Sequence, residues 1–396
     1  MNGTRMIVTG TLCGSAAPMS VDIQGGRIAS IRPGLAPDAL GGADTMISAG
    51  WHDIQVNGYA GNDCNAGSWG IVSPRQPDLD ALTLDLARHG VALFCPTVIT
   101  DSSEAMEHSL RRIAVAMASD GPFRRAATGI HLEGPFLSPD DGPRGAHPLE
   151  HVRPPCWDEF QRLQEAAIGH IRICTLAPEL PGAIDLIERL TASGVVAAIG
   201  HTGASPACIR DAVAAGARLS THIGNGCHAA LPRHDSYLWE QLAEDRLTAT
   251  MIIDGYHLQP AEAKVFVRAK GSERTILISD AVTLGGMPPG LYAEGRFEVK
   301  PDGHIVLAGT PYLAGAAALL DACMANAVRW TDLSLTEVIE TVTHTPAHLL
   351  SAQRKGAVRE GYDADLTLFR VPSEGPLDVI ATIADGVVVY RRDAPQ

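Results

Sequence analysis

The feature that most constrains this chain is an alternation between short apolar runs and stretches of helical spacing, which continues from Ala49 to Ala281. Such alternation is the signature of repeated βα units. The pattern predicts eight strands, and eight parallel strands with intervening helices indicate an α/β fold closed into a (β/α)8 TIM barrel. The predicted strands are Asp53 to Val56, Ala92 to Val98, Thr128 to Glu133, Ile171 to Ala177, Val195 to Gly200, Leu219 to Ile223, Ala249 to Asp254 and Thr275 to Asp280.

Helix boundaries are visible between these strands. The leucines from Leu79 to Leu86 form one apolar stripe, and Gly90 lies just beyond it as a helix stop. Ser205, followed directly by proline, is predicted to cap the start of another helix. Ser334 with Glu337 forms a capping box for a third helix.

The two ends of the chain predict a second, smaller unit. Met6 to Ile31 and Ala364 to Arg391 alternate like strands and are broken by Gly-Gly and Asp-Gly turns. We expect these distant segments to pair into one small β-sandwich domain. The predicted division assigns residues 1–48 and 357–396 to this domain and residues 49–356 to a metal-dependent barrel, and 396 residues with 45% hydrophobic content can bury both cores.

Composition argues against several classes of partner. The chain carries 31 Lys plus Arg against 45 Asp plus Glu, a formal net charge of -14, and no basic block that would follow a nucleic-acid backbone. No apolar run reaches the roughly 18 residues of a membrane span, and Met1 to Ser20 has no signal-like apolar core, so we expect a cytoplasmic protein. The eight cysteines are dispersed without a Cys-x-x-Cys pair, which favours reduced core residues.

Four predicted strands end in groups that can bind a metal ion or work beside one: Glu133, His201, His222 and Asp280. In a parallel barrel every strand opens at its carboxyl end onto the same face, so these side chains are expected to converge. One carboxylate and two imidazoles suit one divalent ion, Zn²⁺ or Fe²⁺, and leave a position open for water. A free carboxylate such as Asp280 could then serve as a general base.

Each of these residues also has a plainer interpretation. A single His or Glu at a strand end is more often a hydrogen-bonded structural residue than a ligand, but four such residues at equivalent strand ends favour a site. His147 lies in the irregular segment Gly134 to Pro155, which follows the third strand and is expected at the rim of an active site. From its sequence neighbourhood alone, His147 could equally be a solvated loop residue.

Seven motifs follow one another along nearly the whole chain: Gly-Trp-His-Asp-Ile-Gln-Val-Asn-Gly at 50–58, His-Leu-Glu-Gly-Pro-Phe at 131–136, Leu-Ala-Pro-Glu at 176–179, Gly-His-Thr at 200–202, Thr-His-Ile-Gly-Asn at 221–225, Asp-Gly-Tyr-His at 254–257 and Ser-Asp-Ala at 279–281. With these motifs the chain resembles the N-acetylglucosamine-6-phosphate deacetylases of the amidohydrolase superfamily. Many amidohydrolases carry His-x-His at the end of the first strand, whereas this chain has Gln55 and Asn57, which is similar to a one-metal branch of the deacetylases.

The resemblance implies a role for each site residue. Glu133, His201 and His222 would hold the metal, Asp280 would act as general base and then general acid, and His147 would polarise the acetyl carbonyl. The phosphate of an amino-sugar phosphate would be bound by four further groups. These are Asn225, the backbone amide of Gly226, His257 and an arginine, Arg233, that reaches across from a neighbouring subunit of a homodimer.

One segment departs from the pattern of this family. After His222 the usual deacetylase continues with an aromatic residue, Asn, Ala and Met, whereas here the run is Ile-Gly-Asn-Gly-Cys-His. Asn225 is kept, but Cys227 and His228 change the surroundings of the expected phosphate site. Two other functions therefore stay open: a deacetylase for a galacto-configured or unphosphorylated N-acetyl sugar, and a barrel that serves as a non-catalytic scaffold.

Overall fold

The computed structural model describes residues 5–65, 78–310 and 312–392. The strands are β1 (Met6–Leu12), β2 (Pro18–Gln24), β3 (Arg27–Pro33), β4 (Leu40–Ala49), β5 (Trp51–Val56), β6 (Gly58–Tyr59), β7 (Asn62–Asp63), β8 (Val91–Ile99), β9 (Ile130–Glu133), β10 (Ile171–Leu176), β11 (Val196–Ile199), β12 (Leu219–Ser220), β13 (Thr248–Met251), β14 (Thr275–Leu277), β15 (Gly290–Tyr292), β16 (Phe297–Val299), β17 (Ile305–Leu307), β18 (Leu366–Arg370), β19 (Asp378–Ala384) and β20 (Val387–Arg391). The helices are α1 (Leu79–Arg88), α2 (Ser103–Ala118), α3 (Pro122–Ala126), α4 (Trp157–Ala166), α5 (Ala183–Ala192), α6 (Pro206–Ala214), α7 (Tyr237–Ala243), α8 (Pro260–Lys270), α9 (Leu320–Trp330), α10 (Leu335–Thr341) and α11 (His344–Leu349).

Eight parallel strands form the central sheet, in the order β5, β8, β9, β10, β11, β12, β13, β14. Backbone hydrogen bonds between the end of β5 and the residues that follow β14 join the two edges of this sheet. The amide of Asn57, just after β5, donates to the carbonyl of Ala281 at 2.8 Å, and the amide of Asp280 donates to the carbonyl of Gln55 at 3.0 Å. The predicted (β/α)8 barrel is therefore confirmed.

Several predicted strands end earlier than the apolar pattern suggested. We expected strands to run through Ile223, Asp254 and Asp280, but β12 ends at Ser220, β13 at Met251 and β14 at Leu277. Two of the residues beyond these ends, His222 and Asp280, have positive φ values of 28° and 51°. A left-handed residue cannot continue a strand ladder, so the sequence-based boundaries were wrong at these ends.

The predicted helix signals are present. Helix α1 buries Leu79, Leu82 and Leu86, and helix α6 begins with the Ser205 side chain accepting from a backbone amide. Ser334 and Glu337 form both halves of the capping box of α10. Within the described ranges no helix combines the length and the apolar character that a bilayer crossing requires.

The chain ends meet in one seven-stranded sheet, in the order β20, β19, β18, β4, β1, β2, β3. Strand β18 pairs antiparallel with β4, so the carboxyl-terminal hairpin continues the amino-terminal sheet. The predicted small β-domain is thus confirmed as an architecture, whereas its boundaries at residues 48 and 357 stay a prediction. Strand β4 was missed because Gly41, Gly42 and Asp44 interrupt its apolar pattern.

A three-stranded antiparallel sheet of β15, β16 and β17 lies between Asp280 and α9. It was also absent from the prediction, because each strand has only three residues and the segment is rich in glycine. The sheet buries Phe297 and Val299 in a small core of its own. Val282 precedes it and Leu313 follows it, and both reach the cavity above the barrel.

Candidate active site

The four predicted chemical residues converge above the barrel core. Glu133 is the last residue of β9, while His201, His222 and Asp280 lie two or three residues beyond the ends of β11, β12 and β14. All four line a single cavity. His201, His222 and Asp280 have positive φ values of 51°, 28° and 51°. Strained backbone of this kind is concentrated at functional sites, where the surrounding fold holds it in place.

Glu133, His201 and His222 form a compact donor set. Nε2 of His222 lies 3.0 Å from Oε1 of Glu133 and 3.0 Å from Nε2 of His201, while His201 Nε2 lies 3.4 Å from the same carboxylate oxygen. A tetrahedral ion with bonds of roughly 2.0–2.2 Å separates its ligand atoms by about 3.3–3.6 Å, so little adjustment is needed. The three side chains therefore fit a divalent cation.

The imidazole of His201 is oriented by its surroundings. Its Nδ1 lies 2.9 Å from the carbonyl of Pro143, which can only accept, so Nδ1 carries the proton and the lone pair of Nε2 faces the cluster. Gly145 and Gly226 approach the same ring closely. A Cβ added at Gly226 would lie 2.8 Å from His201 Nδ1, and one added at Gly145 would lie 3.2 Å from its Cε1.

His147 lies closer to the donor set than the sequence suggested. Its ring centroid is 4.4 Å from that of His201, and the ligand atoms of Glu133, His147 and His201 all lie within 4.8 Å of one another. His147 is thus a second candidate for a ligand position besides His222. The separations of 3.0 to 3.4 Å among Glu133, His201 and His222 are the more compatible with direct coordination.

Two amide side chains hold Asp280: that of Gln55 on β5 and that of Asn57, the first residue after β5. Nδ2 of Asn57 donates to Oδ1 of Asp280 at 2.7 Å, and Nε2 of Gln55 donates to the same oxygen at 3.1 Å. Gln55 also donates to Glu133 at 2.8 Å, so it bridges the two carboxylates. The role of Gln55 and Asn57 was not predicted from the sequence, although a strand period of two places residues 53, 55 and 57 on one face.

The buried charges change each other's protonation. Burial together with the nearby charge of Glu133 raises the pKa of Asp280 to about 6, although His222 and His257 oppose this shift. Burial also raises the pKa of Glu133, but the contacts with the imidazoles of His201 and His222 outweigh it and leave that pKa well below its ordinary value. Burial lowers the pKa of His147 to about 3, so its imidazole is neutral at pH 7.

A hydrogen-bonded layer supports the site from below. His131 Nδ1 lies 3.2 Å from the carbonyl of Ile54, so its Nε2 accepts from the hydroxyl of Thr175 at 2.7 Å. Thr175 Oγ1 then accepts from Thr221 Oγ1 at 2.8 Å, which fixes the direction of the whole chain. Thr221 directly precedes His222, so this layer fixes the backbone that carries a predicted ligand.

Three of the four predicted phosphate contacts line the same cavity. Asn225, Gly226 and His257 are among its lining residues, and Nδ2 of Asn225 is buried without a hydrogen-bond partner. Arg233 is exposed in the loop before α7 and does not line this cavity. In the described part of the chain no Lys or Arg side chain lines it, so the structure does not bring Arg233 to the site of its own subunit.

The unusual segment after His222 has defined contacts. Cys227 Sγ lies 3.2 Å from the carbonyl of Gly224, whereas His228 Nδ1 lies 3.0 Å from the hydroxyl of Tyr237. The two side chains have separate partners, which disfavours a Cys-His nucleophilic pair. On the opposite loop, Arg144 pairs with the exposed Asp141, so that acidic side chain points away from the cavity.

This fold and site define a class: (β/α)8 hydrolases that hold a divalent cation at the carboxyl ends of their strands. Residues 78–389 match the model of the Amidohydrolase family. The human N-acetylglucosamine-6-phosphate deacetylase is 34% identical over 88% of this chain and 84% of its own length. An N-acetylgalactosamine-6-phosphate deacetylase from a Shewanella strain is 32% identical over 81% of this chain and 78% of its own length.

Structure comparison agrees with these sequence relatives. The crystal structure of N-acetyl-D-glucosamine-6-phosphate deacetylase from Mycobacterium smegmatis superposes with a TM-score of 0.85 at 28% identity, covering 97% of this chain and 100% of that one. The chain belongs to the amidohydrolase family and, within it, to the group of the N-acetylglucosamine-6-phosphate deacetylases. It is therefore a hydrolytic enzyme, and the resemblance inferred from its motifs is confirmed.

Proposed function

We propose that this enzyme removes the N-acetyl group from N-acetylglucosamine 6-phosphate and releases acetate and glucosamine 6-phosphate. The observation that carries the proposal is the cavity in which Asp280 lies beside Glu133, His201 and His222. His257 and Asn225, which can hydrogen-bond a sugar phosphate, line the same cavity. Relatives that cover most of the chain are named for this activity, which supports the choice of substrate.

We assign Glu133, His201 and His222 as the residues that hold one divalent cation per subunit, Zn²⁺ or Fe²⁺. The donor set of one carboxylate and two imidazoles is compatible with either ion, and the separations of 3.0 to 3.4 Å support the assignment. A divalent cation in such a site supplies Lewis acidity, which polarises a carbonyl group and acidifies water.

Asp280 is assigned the proton transfers. As a carboxylate it takes a proton from the attacking water, and as a carboxylic acid it then returns that proton to the leaving nitrogen. Its pKa of about 6 is close to neutral, which suits a group that must both accept and donate a proton. Asn57 and Gln55 hold the Oδ1 atom of Asp280, which leaves Oδ2 for this work.

His147 is assigned to the oxyanion that develops when water adds to the acetyl carbon. Its pKa of about 3 means that it works as a neutral N–H donor rather than as a cation. It is buried at the edge of the donor set, with its ring 4.4 Å from that of His201. A fixed donor in a buried position stabilises developing charge more strongly than it would in water.

The phosphate group is assigned to Asn225, the backbone amide of Gly226, His257 and Arg233 from a second copy of the chain. Arg233 is exposed and lies outside the cavity of its own subunit, which supports a contribution across an interface. Arginine can bind phosphate through two parallel hydrogen bonds. We therefore propose a homodimer, which analytical ultracentrifugation of the wild type and of Arg233→Ala can test.

We place this homodimer in the cytoplasm. All eight cysteines are free, and four of them are buried. Unpaired buried cysteines are typical of proteins from a reducing compartment. Fractionation of cells that produce the chain at its natural level tests this assignment.

A galacto-configured substrate is the second candidate. The run from Ile223 to His228 departs from the usual deacetylase pattern, and a relative named for N-acetylgalactosamine 6-phosphate covers 81% of this chain. The test is acetate release from four compounds: the 6-phosphates of N-acetylglucosamine and N-acetylgalactosamine, and the two sugars without phosphate. The proposal predicts the highest kcat/KM for the phosphorylated gluco compound. A higher value for any of the other three overturns it.

A further inference from the structure

The buried carboxylate of Asp254 contacts one ring nitrogen of His257. Asp254 lies three residues beyond the end of β13, and its Oδ2 is 2.7 Å from Nδ1 of His257. The two side chains are only 3% and 7% exposed, so water competes little with this contact. The other ring nitrogen of His257 is left for the cavity that this residue lines.

The two oxygens of Asp254 have different partners. Oδ1 accepts from the backbone amides of Tyr256 and His257, each at 2.8 Å, and so shapes the loop as an Asx turn. Among the described residues, the hydrogen-bond partner of Oδ2 is the imidazole of His257. Oδ1 therefore shapes the loop, whereas Oδ2 orients the imidazole of His257.

Asp254 is ionised at neutral pH. Burial raises its pKa, but the hydrogen bond and charge of His257, together with the two backbone amides, lower it further than burial raises it. A carboxylate at Oδ2 can only accept, so Nδ1 of His257 must carry a proton. A phosphate oxygen bound at Nε2 is an acceptor as well, so in that complex the ring donates from both nitrogens.

We propose that Asp254 is a positioning residue for the substrate's phosphate group: it holds the Nδ1 proton of His257 and so directs the Nε2 edge of the ring to a phosphate bound in the cavity. The inference deepens the proposed function, because it rests on a phosphorylated substrate in this site. In the described residues no Lys or Arg side chain lines the cavity, so the phosphate contacts proposed from the same subunit depend on Asn225, the amide of Gly226 and this histidine.

Asp254→Asn tests the proposal with little change of shape. The amide oxygen can still accept from the two backbone amides, whereas the amide nitrogen donates to Nδ1 and forces the opposite, neutral tautomer. We expect KM for N-acetylglucosamine 6-phosphate to rise about tenfold, with kcat changed by less than about threefold, since Nε2–H of this neutral ring donates to the phosphate more weakly than the same ring backed by a carboxylate. Turnover of unphosphorylated N-acetylglucosamine should not change.

A double-mutant cycle separates positioning from general disruption. If Asp254 acts through His257, then Asp254→Asn should not raise KM further in a His257→Gln background. Asp321→Asn is the matched control, because Asp321 is also buried and its Oδ2 lies 2.9 Å from Nδ1 of His89, away from the cavity. This control should leave KM unchanged. Additive effects of Asp254→Asn and His257→Gln overturn the proposal.

A spectroscopic arm distinguishes this inference from the proposed function. Long-range ¹H–¹⁵N spectra report which ring nitrogen of His257 is protonated, and the His257→Gln variant identifies its signals. Protonated Nδ1 in the wild type and unprotonated Nδ1 in Asp254→Asn support the positioning role. Unprotonated Nδ1 in the wild type overturns it. A wild type that does not deacetylate the phosphorylated sugar contradicts the proposed function instead, whatever the tautomer is.

Discussion

The rim of the barrel, where the candidate site lies, buries a different kind of side chain from the seven-stranded sheet formed by the chain ends, here called the terminal sheet. The rim buries charged and polar groups such as Glu133, His201 and His222, and it places several of them in left-handed backbone conformations. The terminal sheet buries Val8, Ile47, Leu368 and other apolar side chains in regular strand pairs. Burial of apolar area stabilises a fold, whereas burial of charge costs free energy unless the charge is paired.

The difference indicates that stability and chemistry are carried by different parts of this molecule. Substitutions at the rim should change turnover or metal binding and leave the free energy of unfolding nearly intact. Substitutions in the terminal sheet should do the reverse.

The largest effect is expected at Asp280. Asp280→Asn should lower kcat/KM by about 10³-fold or more, because an amide can neither accept nor return a proton. The melting temperature should stay the same or rise, since the repulsion between two buried carboxylates is removed. Steady-state kinetics and calorimetry check both halves, with metal content expected to remain at one per chain. Near wild-type turnover would show that Asp280 is not the base.

A core substitution in the terminal sheet provides the opposite case. Leu368 is fully buried and pairs with Ile47 across the junction of β18 and β4. Leu368→Ala should lower the free energy of unfolding by about 2–5 kcal/mol, measured by urea denaturation, because a cavity is left. The value of kcat at 25 °C should be unchanged. A loss of kcat without a loss of stability would contradict the separation of the two regions.

Asp53 lies on the inward side of the first barrel strand and titrates in the folded protein. Burial raises its pKa to about 7, although amides of Ser279 and Gln55 donate to it. Because the folded pKa exceeds the unfolded one, the folded state binds more protons between pH ~4 and ~7, and stability falls as pH rises through that window. Asp53→Asn should reduce this fall by about 4 kcal/mol, measured by denaturation at several pH values. An unchanged pH profile would contradict the raised pKa.

The smallest effect is expected at Gly226, which is close to the ring of His201. Gly226→Ala would place a Cβ 2.8 Å from His201 Nδ1, so we expect metal affinity to fall about tenfold as the imidazole is displaced. Gly194→Ala is the control, because Gly194 also has a positive φ of 80° but has nothing within 4 Å of the added Cβ. Calorimetric titration of metal into the metal-free protein measures both variants. Equal affinities would show that the close approach has no effect on the site.

Much of the fold could be predicted from sequence because the barrel strands are continuous apolar runs separated by capped helices. The strand ends before His222 and Asp280 could not be predicted, because no pattern of residue types signals a left-handed residue that is neither Gly nor Asn. The missed strands have a related cause. Strand β4 is interrupted by glycines, and β15 to β17 are too short to show a period.

The candidate site was accessible to prediction where it depends on strand topology. Glu133, His201, His222 and Asp280 converge because parallel strands open on one face, and this needs only their order along the chain. The supporting contacts were not accessible. The carbonyl of Pro143 behind His201 and the Asp254 contact with His257 depend on loop conformations. The bridge from Gln55 to two carboxylates also depends on Asp280, which lies beyond the end of β14.

The proposed chemistry depends most on which three side chains hold the cation. A crystal structure of the metal-loaded enzyme, with anomalous data collected at the zinc and iron absorption edges, locates the ion directly. We expect one peak per subunit, within about 2.0–2.3 Å of Glu133, His201 and His222. A peak bound by His147 in place of His222, or no peak among these residues, would contradict it.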